Sequence, residues 1–199
     1  MKKIVIASSN PGKLREFRAL FVDRDISIVP QKEFGIGDAD ECGLSFVENA
    51  IIKARHAASQ TNLPAIADDS GLEVDMLGGK PGIHSARYAG LGASDEQNLQ
   101  LLLENIKAFA DTQVSARFQC LMVYLERADD PTPIIAQGTW EGHIVKSPKG
   151  NNGFGYDPVF YLTAHKCTSA QLPADLKNKI SHRAQALNLL MEKLTILFN

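Results

Sequence analysis

Lys3-Ile4-Val5-Ile6-Ala7-Ser8-Ser9-Asn10-Pro11-Gly12-Lys13 is the stretch whose reading decides the fold class. The apolar run over residues 3–8 predicts a buried strand. Ser9-Asn10-Pro11-Gly12 is turn chemistry: Asn and Gly tolerate unusual backbone angles, and Pro fixes its own. From Lys13 onward Leu14, Phe17, Leu20 and Phe21 recur at helical spacing. Strand, polar turn and helix form the opening of an α/β chain. Such a turn presents backbone N–H groups at a helix N-terminus, where an anion is well held, and Lys13 adds a mobile positive charge. The spacing differs from the G-x-x-x-x-G-K-[ST] phosphate loop. The same residues also suit a plain strand–helix connection with a solvated lysine.

Outward from this start, residues 26–30 predict a second strand, and residues 35–44 a Gly- and acid-rich loop. Ser45 has Glu48 three residues later, the capping-box spacing, and heads a helix to about Ala58 with Val47, Ala50, Ile51 and Ala54 on one face. Residues 64–68 predict a short apolar strand that ends in Asp68-Asp69-Ser70-Gly71, and residues 72–77 another. Residues 78–92 form a long Gly-rich loop. A helix starts at Ser94-Asp95-Glu96 and carries Leu99, Leu102, Leu103 and Ile106. Residues 115–126 and 134–146 predict paired strands joined through Asp129-Asp130-Pro131. A Gly/Asn loop at 150–157, a strand at 158–162 and helices at 169–176 and from Ser181 to about Phe198 complete the chain. There is no internal repeat, low-complexity tract or linker. The pattern predicts an α/β fold with both parallel and antiparallel strand pairs.

A chain of 199 residues is long enough for one sizeable domain or for two lobes sharing a cleft. Hydrophobic residues at 44% and charged residues at 22% match an ordinary soluble globular composition. The formal charge of -2, with basic residues scattered, counts against a DNA or RNA binder but leaves a nucleotide ligand open. Cys42, Cys120 and Cys167 form no CxxC pair, which counts against structural zinc and fits a reducing compartment. The first apolar run is too short for a signal peptide, and no segment approaches the ~20 apolar residues of a membrane helix. The expectation is a cytoplasmic protein without an anchor.

Four further groups carry possible chemistry. In Asp68-Asp69 two adjacent carboxylates repel, so they call for a cation or a basic partner. Mg²⁺ takes one or two carboxylates plus phosphate oxygens and waters, and ligand sites in α/β sheets lie at strand carboxyl ends. An acidic surface turn fits these residues equally well. In the loop of Asp38, Asp40 and Glu41, Glu41 is placed to share a metal with Asp69. Glu48 and Lys53 follow, five apart on loosely neighbouring helix faces. Helix capping and surface charge account for that segment too. In Gly150-Asn151-Asn152-Gly153-Phe154-Gly155-Tyr156-Asp157-Pro158, Phe154 and Tyr156 suit stacking on a flat base, and Asp157 suits a base N–H or sugar hydroxyl. The alternative is a tight loop with core aromatics. Finally, Ser181 is a credible N-cap in Lys177-Asn178-Lys179-Ile180-Ser181-His182-Arg183, where cations near a helix N-terminus are disfavoured unless an anion offsets them. His56, His84, His143 and His165 show no metal-ligand spacing, and no G-x-S-x-G elbow is present.

Taken in order, these segments resemble one family. Ser8-Ser9-Asn10-Pro11-Gly12-Lys13, Ser45-Phe46-Val47-Glu48-Asn49-Ala50, Ala67-Asp68-Asp69-Ser70-Gly71-Leu72, Gly78-Gly79-Lys80-Pro81-Gly82-Ile83, Ser85-Ala86-Arg87-Tyr88, Gly153-Phe154-Gly155-Tyr156-Asp157-Pro158 and Ser181-His182-Arg183 are similar to the motifs of the bacterial Ham1-like inosine/xanthosine triphosphate pyrophosphatases, collinear over nearly the whole chain. The resemblance implies one Ham1-like domain over residues 1–199: a mixed, elongated α/β sheet with flanking helices, and two lobes around a central active-site cleft. It implies a homodimer. It also implies hydrolysis of non-standard purine nucleotides (ITP, dITP, XTP) to monophosphate and pyrophosphate, which keeps them out of DNA and RNA.

The resemblance assigns substrate contacts to Ser8, Ser9, Asn10, Pro11, Gly12, Lys13, Ser70, Phe154, Gly155, Tyr156, Asp157, Lys177, His182 and Arg183, and Lys53 is expected beside them as a further substrate contact. Asp69 is the implied general base, with Lys13 and Asp68 in support. Glu41 and Asp69 are the implied ligands of one Mg²⁺ per subunit, which Mn²⁺ can replace in vitro. His182 and Arg183 would donate to the 6-oxo group that distinguishes hypoxanthine and xanthine from adenine. Two departures stand out. Ser9 replaces a usual glycine and lacks its freedom at positive φ. Cys42 replaces a usual threonine after Glu41. The rival readings are a nucleotide-binding regulatory module without turnover, and a related hydrolase of modified pyrimidine nucleotides or a Maf-like pyrophosphatase.

Overall fold

In the computed structural model, which describes residues 2–21, 26–109 and 113–198, the opening strand is β1 (Lys2–Ile6), with Ile4, Val5 and Ile6 fully buried. It runs parallel to β2 (Ile26–Pro30), with Ile4 opposite Ile28. It also runs parallel to β3 (Ala65–Val74), with Ile6 opposite Ile66. A parallel strand covered on both faces needs an unbroken apolar run, and β1 supplies one. β4 (Val114–Leu125), β5 (Ile134–Ile144), β6 (Phe160–Leu162) and β7 (Cys167–Thr168) continue a seven-stranded sheet in the order β2-β1-β3-β4-β5-β6-β7. The β5–β6 and β6–β7 pairs are antiparallel, so the sheet is mixed as expected.

The helices are α1 (Pro11–Phe21), α2 (Phe46–Thr61), α3 (Asp95–Ile106), α4 (Ala174–Ile180) and α5 (His182–Phe198). The predicted Ser45 cap forms: its hydroxyl oxygen accepts from the Glu48 N–H, and Glu48 returns a carboxylate to Ser45 and to the Leu44 N–H. Ser94 and Gln97 close a reciprocal capping box on α3. The side chains of Leu20 and Phe21, part of the expected α1 face, lie outside the described residues. Phe17 on that face is fully buried.

The chain groups into two units, one of Met1–Asp69, Cys120–Gly138 and Arg183–Asn199, the other of Ser70–Gln119 and Thr139–His182. In the first unit Ile66, Phe17 and Leu187 share a core with the β1 isoleucines, and small residues such as Ala50, Ala54 and Ala67 let α2 pack close to Val5. The second unit has its own core, built on Leu72, Leu102, Phe118, Trp140 and Phe160.

Three expectations change, and one element was not foreseen. Residues 64–68 and 72–77 are not two strands: β3 runs through Asp68-Asp69-Ser70-Gly71 without a break. A strand alternates its side chains between faces, so the two carboxylates point apart and each meets its own cations. The helix expected at 169–176 is broken by Pro173 into a 3₁₀ turn at Ser169–Gln171 and α4, because proline cannot continue a helix from the residues before it. β7 is too short to show alternation and escaped the sequence reading. The strand expected from Pro158 begins at Phe160.

Candidate active site

In the first unit the alternation of β3 divides the acidic pair. Asp68 lies on the face of Ile66, toward α1 and α5, and its Oδ2 meets Lys13 Nζ at 2.9 Å and Arg183 Nη2 at 3.3 Å. Arg183 also pairs with Glu16 of α1. Asp69 lies on the face of Ala67, toward α2. Its Oδ1 accepts from Lys53 Nζ at 2.8 Å and its Oδ2 from Asn49 Nδ2 at 3.3 Å. Lys53 Nζ stands 2.9 Å from Glu41 Oε1 as well. Asp68 is 1% exposed and Asp69 5% exposed, so these charges are largely removed from water.

Burial works against ionisation of Asp68, but the charges of Lys13, Arg183 and Lys53 outweigh it and hold its carboxyl far below the usual carboxylate range. Asp69 goes the other way: burial raises its pKa more than Lys53 and Lys13 lower it, and the neighbouring Glu41 adds to the rise. Burial would likewise neutralise Lys53, but the carboxylates of Asp69, Asp68 and Glu41 outweigh it and raise its pKa. The two shifts are compatible because Lys53 faces three acids, while Asp69 faces a second acid beside its lysines. One acid is thereby locked as an anion, and the next in sequence is made more basic.

The turn before α1 is held by its own side chains. Asn10 Oδ1 accepts from the N–H groups of Gly12 at 2.8 Å and Lys13 at 3.1 Å, capping the helix, and Ser8 Oγ accepts from the Asn10 N–H at 3.3 Å. Some of the N–H donors predicted to hold an anion are therefore met by Asn10. Ser9 does not take a positive φ. Its hydroxyl instead donates to Asp38, whose other oxygen accepts from Gln31 Nε2 at 2.7 Å. The serine that replaces the usual glycine thus pins the turn to the acidic loop.

In the second unit the Gly-rich loop is built around Asp157, which is 2% exposed. Its Oδ2 accepts from Lys177 Nζ at 2.6 Å and from the Phe154 N–H at 2.9 Å, and its Oδ1 from Ser169 Oγ at 2.7 Å. Gly153, at φ +78°, makes this possible, since a Cβ there would stand 1.9 Å from Asp157 Oδ2. The Lys177 ammonium lies 5.2 Å from the centre of the Phe154 ring. The Gly155 N–H donates to Asp95 Oδ2 at 2.8 Å. Tyr156 is in the core, with its hydroxyl donating to the Ser85 carbonyl at 2.8 Å, so of the two loop aromatics Phe154 is the one left part-exposed. His182 is buried against Phe118, the rings stacked 4.8 Å apart, with Trp140 at 6.2 Å. Ser70, on β3, is half-buried.

The structure thus joins Lys13, Asp68, Arg183 and Glu16 on one face of β3, Lys53, Asp69 and Glu41 on the other, and Phe154, Asp157 and Lys177 in the second unit. Sequence reasoning gave no role to Asn49, Glu16, Ser169 and Phe118. Asn49 carried a usable signal, because it lies four residues before Lys53, on the same helix face. Among the described residues no group of three or more His, Cys, Asp or Glu side chains is arranged around a metal position. Glu41 and Asp69 do converge on one cationic atom, and two carboxylates suit a Mg²⁺ completed by phosphate oxygens and water. The three cysteines are unbridged, and among the described residues no helix is long and apolar enough to cross a membrane.

Known proteins place this arrangement in context. Residues 4–193 match the Ham1 family. The dITP/XTP pyrophosphatases of Photorhabdus laumondii and Escherichia coli K12 are each 54% identical over 194 residues, covering 98% of both chains. Among solved structures, the HAM1 protein of Coxiella burnetii superposes with a TM-score of 0.91 at 51% identity, covering 98% of this chain and 99% of that one. The Ham1 protein of Staphylococcus aureus superposes with a TM-score of 0.85 at 42% identity, covering 98% of each. With a shared fold, near-complete coverage and this degree of identity, the chain belongs to the Ham1 family.

Proposed function

We propose that this protein is a Mg²⁺-dependent nucleoside triphosphate pyrophosphatase that cleaves dITP, XTP and ITP to the monophosphate and pyrophosphate. The names of its relatives support the substrate class. The observation that carries the chemistry is the split acid pair: Asp68 held ionised by Lys13 and Arg183, Asp69 made more basic and gripped at both oxygens.

Asp69 is the group that orients a water and takes its proton. A carboxylate of raised pKa is the better base, and donors at both of its oxygens fix its aim. Lys13 and Lys53 place ammonium charge beside the acids, where the oxygens of a triphosphate need neutralising. Asp68 holds the Lys13 ammonium in place. When bound by Glu41 and Asp69, Mg²⁺ would supply Lewis-acid neutralisation of phosphoryl oxygens. In the second unit, Lys177 and the part-exposed Phe154 offer a cation and a flat apolar face, and His182, stacked on Phe118, offers a ring nitrogen to a 6-oxo purine. Arg183 donates from Nη1 to Glu16 and from Nη2 to Asp68, and His182 is the base-reading group of this proposal.

The test is Asp69→Asn assayed with ITP and Mg²⁺, reading pyrophosphate and orthophosphate separately. Wild type releases pyrophosphate, and the variant loses about 10²–10⁴ in kcat, the scale of a missing general base. Turnover close to wild type in the variant would remove Asp69 from the mechanism.

A further inference from the structure

Asn49 is fully buried in the first part of α2, a costly place for a carboxamide unless both of its ends are bonded. Both ends are. Its Oδ1 accepts from the Gly43 N–H at 2.8 Å, and its Nδ2 faces Asp69 Oδ2 at 3.3 Å. The chemistry fixes which end is which: a backbone N–H only donates and a carboxylate only accepts, so the site needs one acceptor and one donor side by side. Among side chains of this length only an amide offers that pair. Gly43 completes the fit, because a Cβ there would stand 2.7 Å from Asn49 Oδ1 and 2.7 Å from Glu48 Cβ. Lys53, one turn further along α2, holds the other oxygen of Asp69 and also Glu41, two residues before Gly43.

We propose that Asn49 is a positioning residue that ties Asp69 to the Gly43 backbone, so that Asp69 and Glu41 are presented together by α2. The proposal rests on the role given to Asp69 above. It assigns Asn49 no contact with substrate: Asn49 acts through Asp69.

Its test compares wild type with Asn49→Ala, Asn49→Asp and Gly43→Ala, each assayed well below its melting temperature. Wild type is assayed first with ITP and Mg²⁺; absence of pyrophosphate would sink the functional reading alone, and amide exchange would still decide the geometry. The Gly43 N–H is expected to exchange about tenfold or more faster in Asn49→Ala than in wild type. In the same variant kcat falls about 10- to 100-fold, the scale of a misplaced catalytic group, while KM for ITP stays within about threefold. Asn49→Asp separates the two contacts. It keeps the acceptor for Gly43, and so its slow exchange, but turns a carboxylate toward Asp69 and loses kcat as the alanine does. If Asn49→Ala does not fold, Gly43→Ala carries the kinetic arm from the other side and shows the same loss of kcat. A wild-type kcat in Asn49→Asp or Gly43→Ala, or unchanged Gly43 exchange in Asn49→Ala, would overturn the proposal.

Discussion

Replacing Arg183 with methionine keeps much of its volume and removes its charge. Asp68, 1% exposed, then keeps Lys13 at 2.9 Å but loses the guanidinium, and Glu16 loses it too. Breaking a buried ion pair from one side costs about 3–5 kcal/mol, and the remaining lysine argues for the lower end of that range. For a chain of this length each kcal/mol moves the midpoint by about 2–4 °C, so a loss of about 3 kcal/mol lowers Tm by roughly 6–12 °C. The pH dependence has a definite sign. A depressed folded pKa contributes stability that is complete above the ordinary carboxylate value of 3.8 and is lost as pH falls below it toward the folded value. The gap between wild type and Arg183→Met is therefore widest near neutrality and narrows in acid. Adding Glu16→Gln to the variant recovers part of the loss by removing one stranded carboxylate. Melting curves followed by circular dichroism from pH 7 downward read all three effects. A Tm for Arg183→Met within about 2 °C of wild type at neutral pH, well under the predicted drop, would refute the claim that Arg183 carries the Asp68 charge.

Two other positions give separate checks. Cys120 is fully buried, and burial, reinforced by the nearby Asp68, pushes its thiol up from 9.0 to about 12. A raised folded pKa gives stability that is whole below 9.0 and drains away as pH rises toward the folded value, at up to about 1.4 kcal/mol per pH unit. Urea midpoints of wild type should fall more steeply above that pH than those of Cys120→Ala, and parallel slopes would count against this burial. Gly153→Ala puts a side chain at φ +78°, with its Cβ 1.9 Å from Asp157 Oδ2. The backbone term alone is about 1–2 kcal/mol, or roughly 2–8 °C in Tm. The displaced Asp157–Lys177 pair should raise KM for nucleotide as well, and a variant unchanged in both would show that the loop is not built on this contact.

Much of the fold was legible because its signals are local. The β1 apolar run, the Ser45 and Ser94 caps and the helical spacing of Leu99 and Leu102 each state their element within a few residues. The acid pair was visible as chemistry but was misplaced at a strand end. A sequence does not say that Lys13, Lys53 and Arg183, far apart along the chain, converge to neutralise it, and without them two adjacent acids read as a turn. Arg183 and His182 looked like one motif. They are adjacent in sequence, yet one belongs to an ion network with Glu16 and the other to a ring stack with Phe118. Asn49 stood in a quoted motif, four residues before Lys53, but spacing alone gave it no role. Its meaning lies in the two partners that the fold brings to it, Gly43 and Asp69.

The most direct measurement is a panel of nucleoside triphosphates (ITP, dITP, XTP, ATP and GTP) at matched concentrations, with and without Mg²⁺, followed by pyrophosphate release. The account predicts that kcat/KM for ITP, dITP and XTP exceeds that for ATP by about 10⁴ where buried donors select the 6-oxo group, and that turnover vanishes when the metal is chelated. Comparable kcat/KM across the panel, or full activity in a chelator, would contradict it.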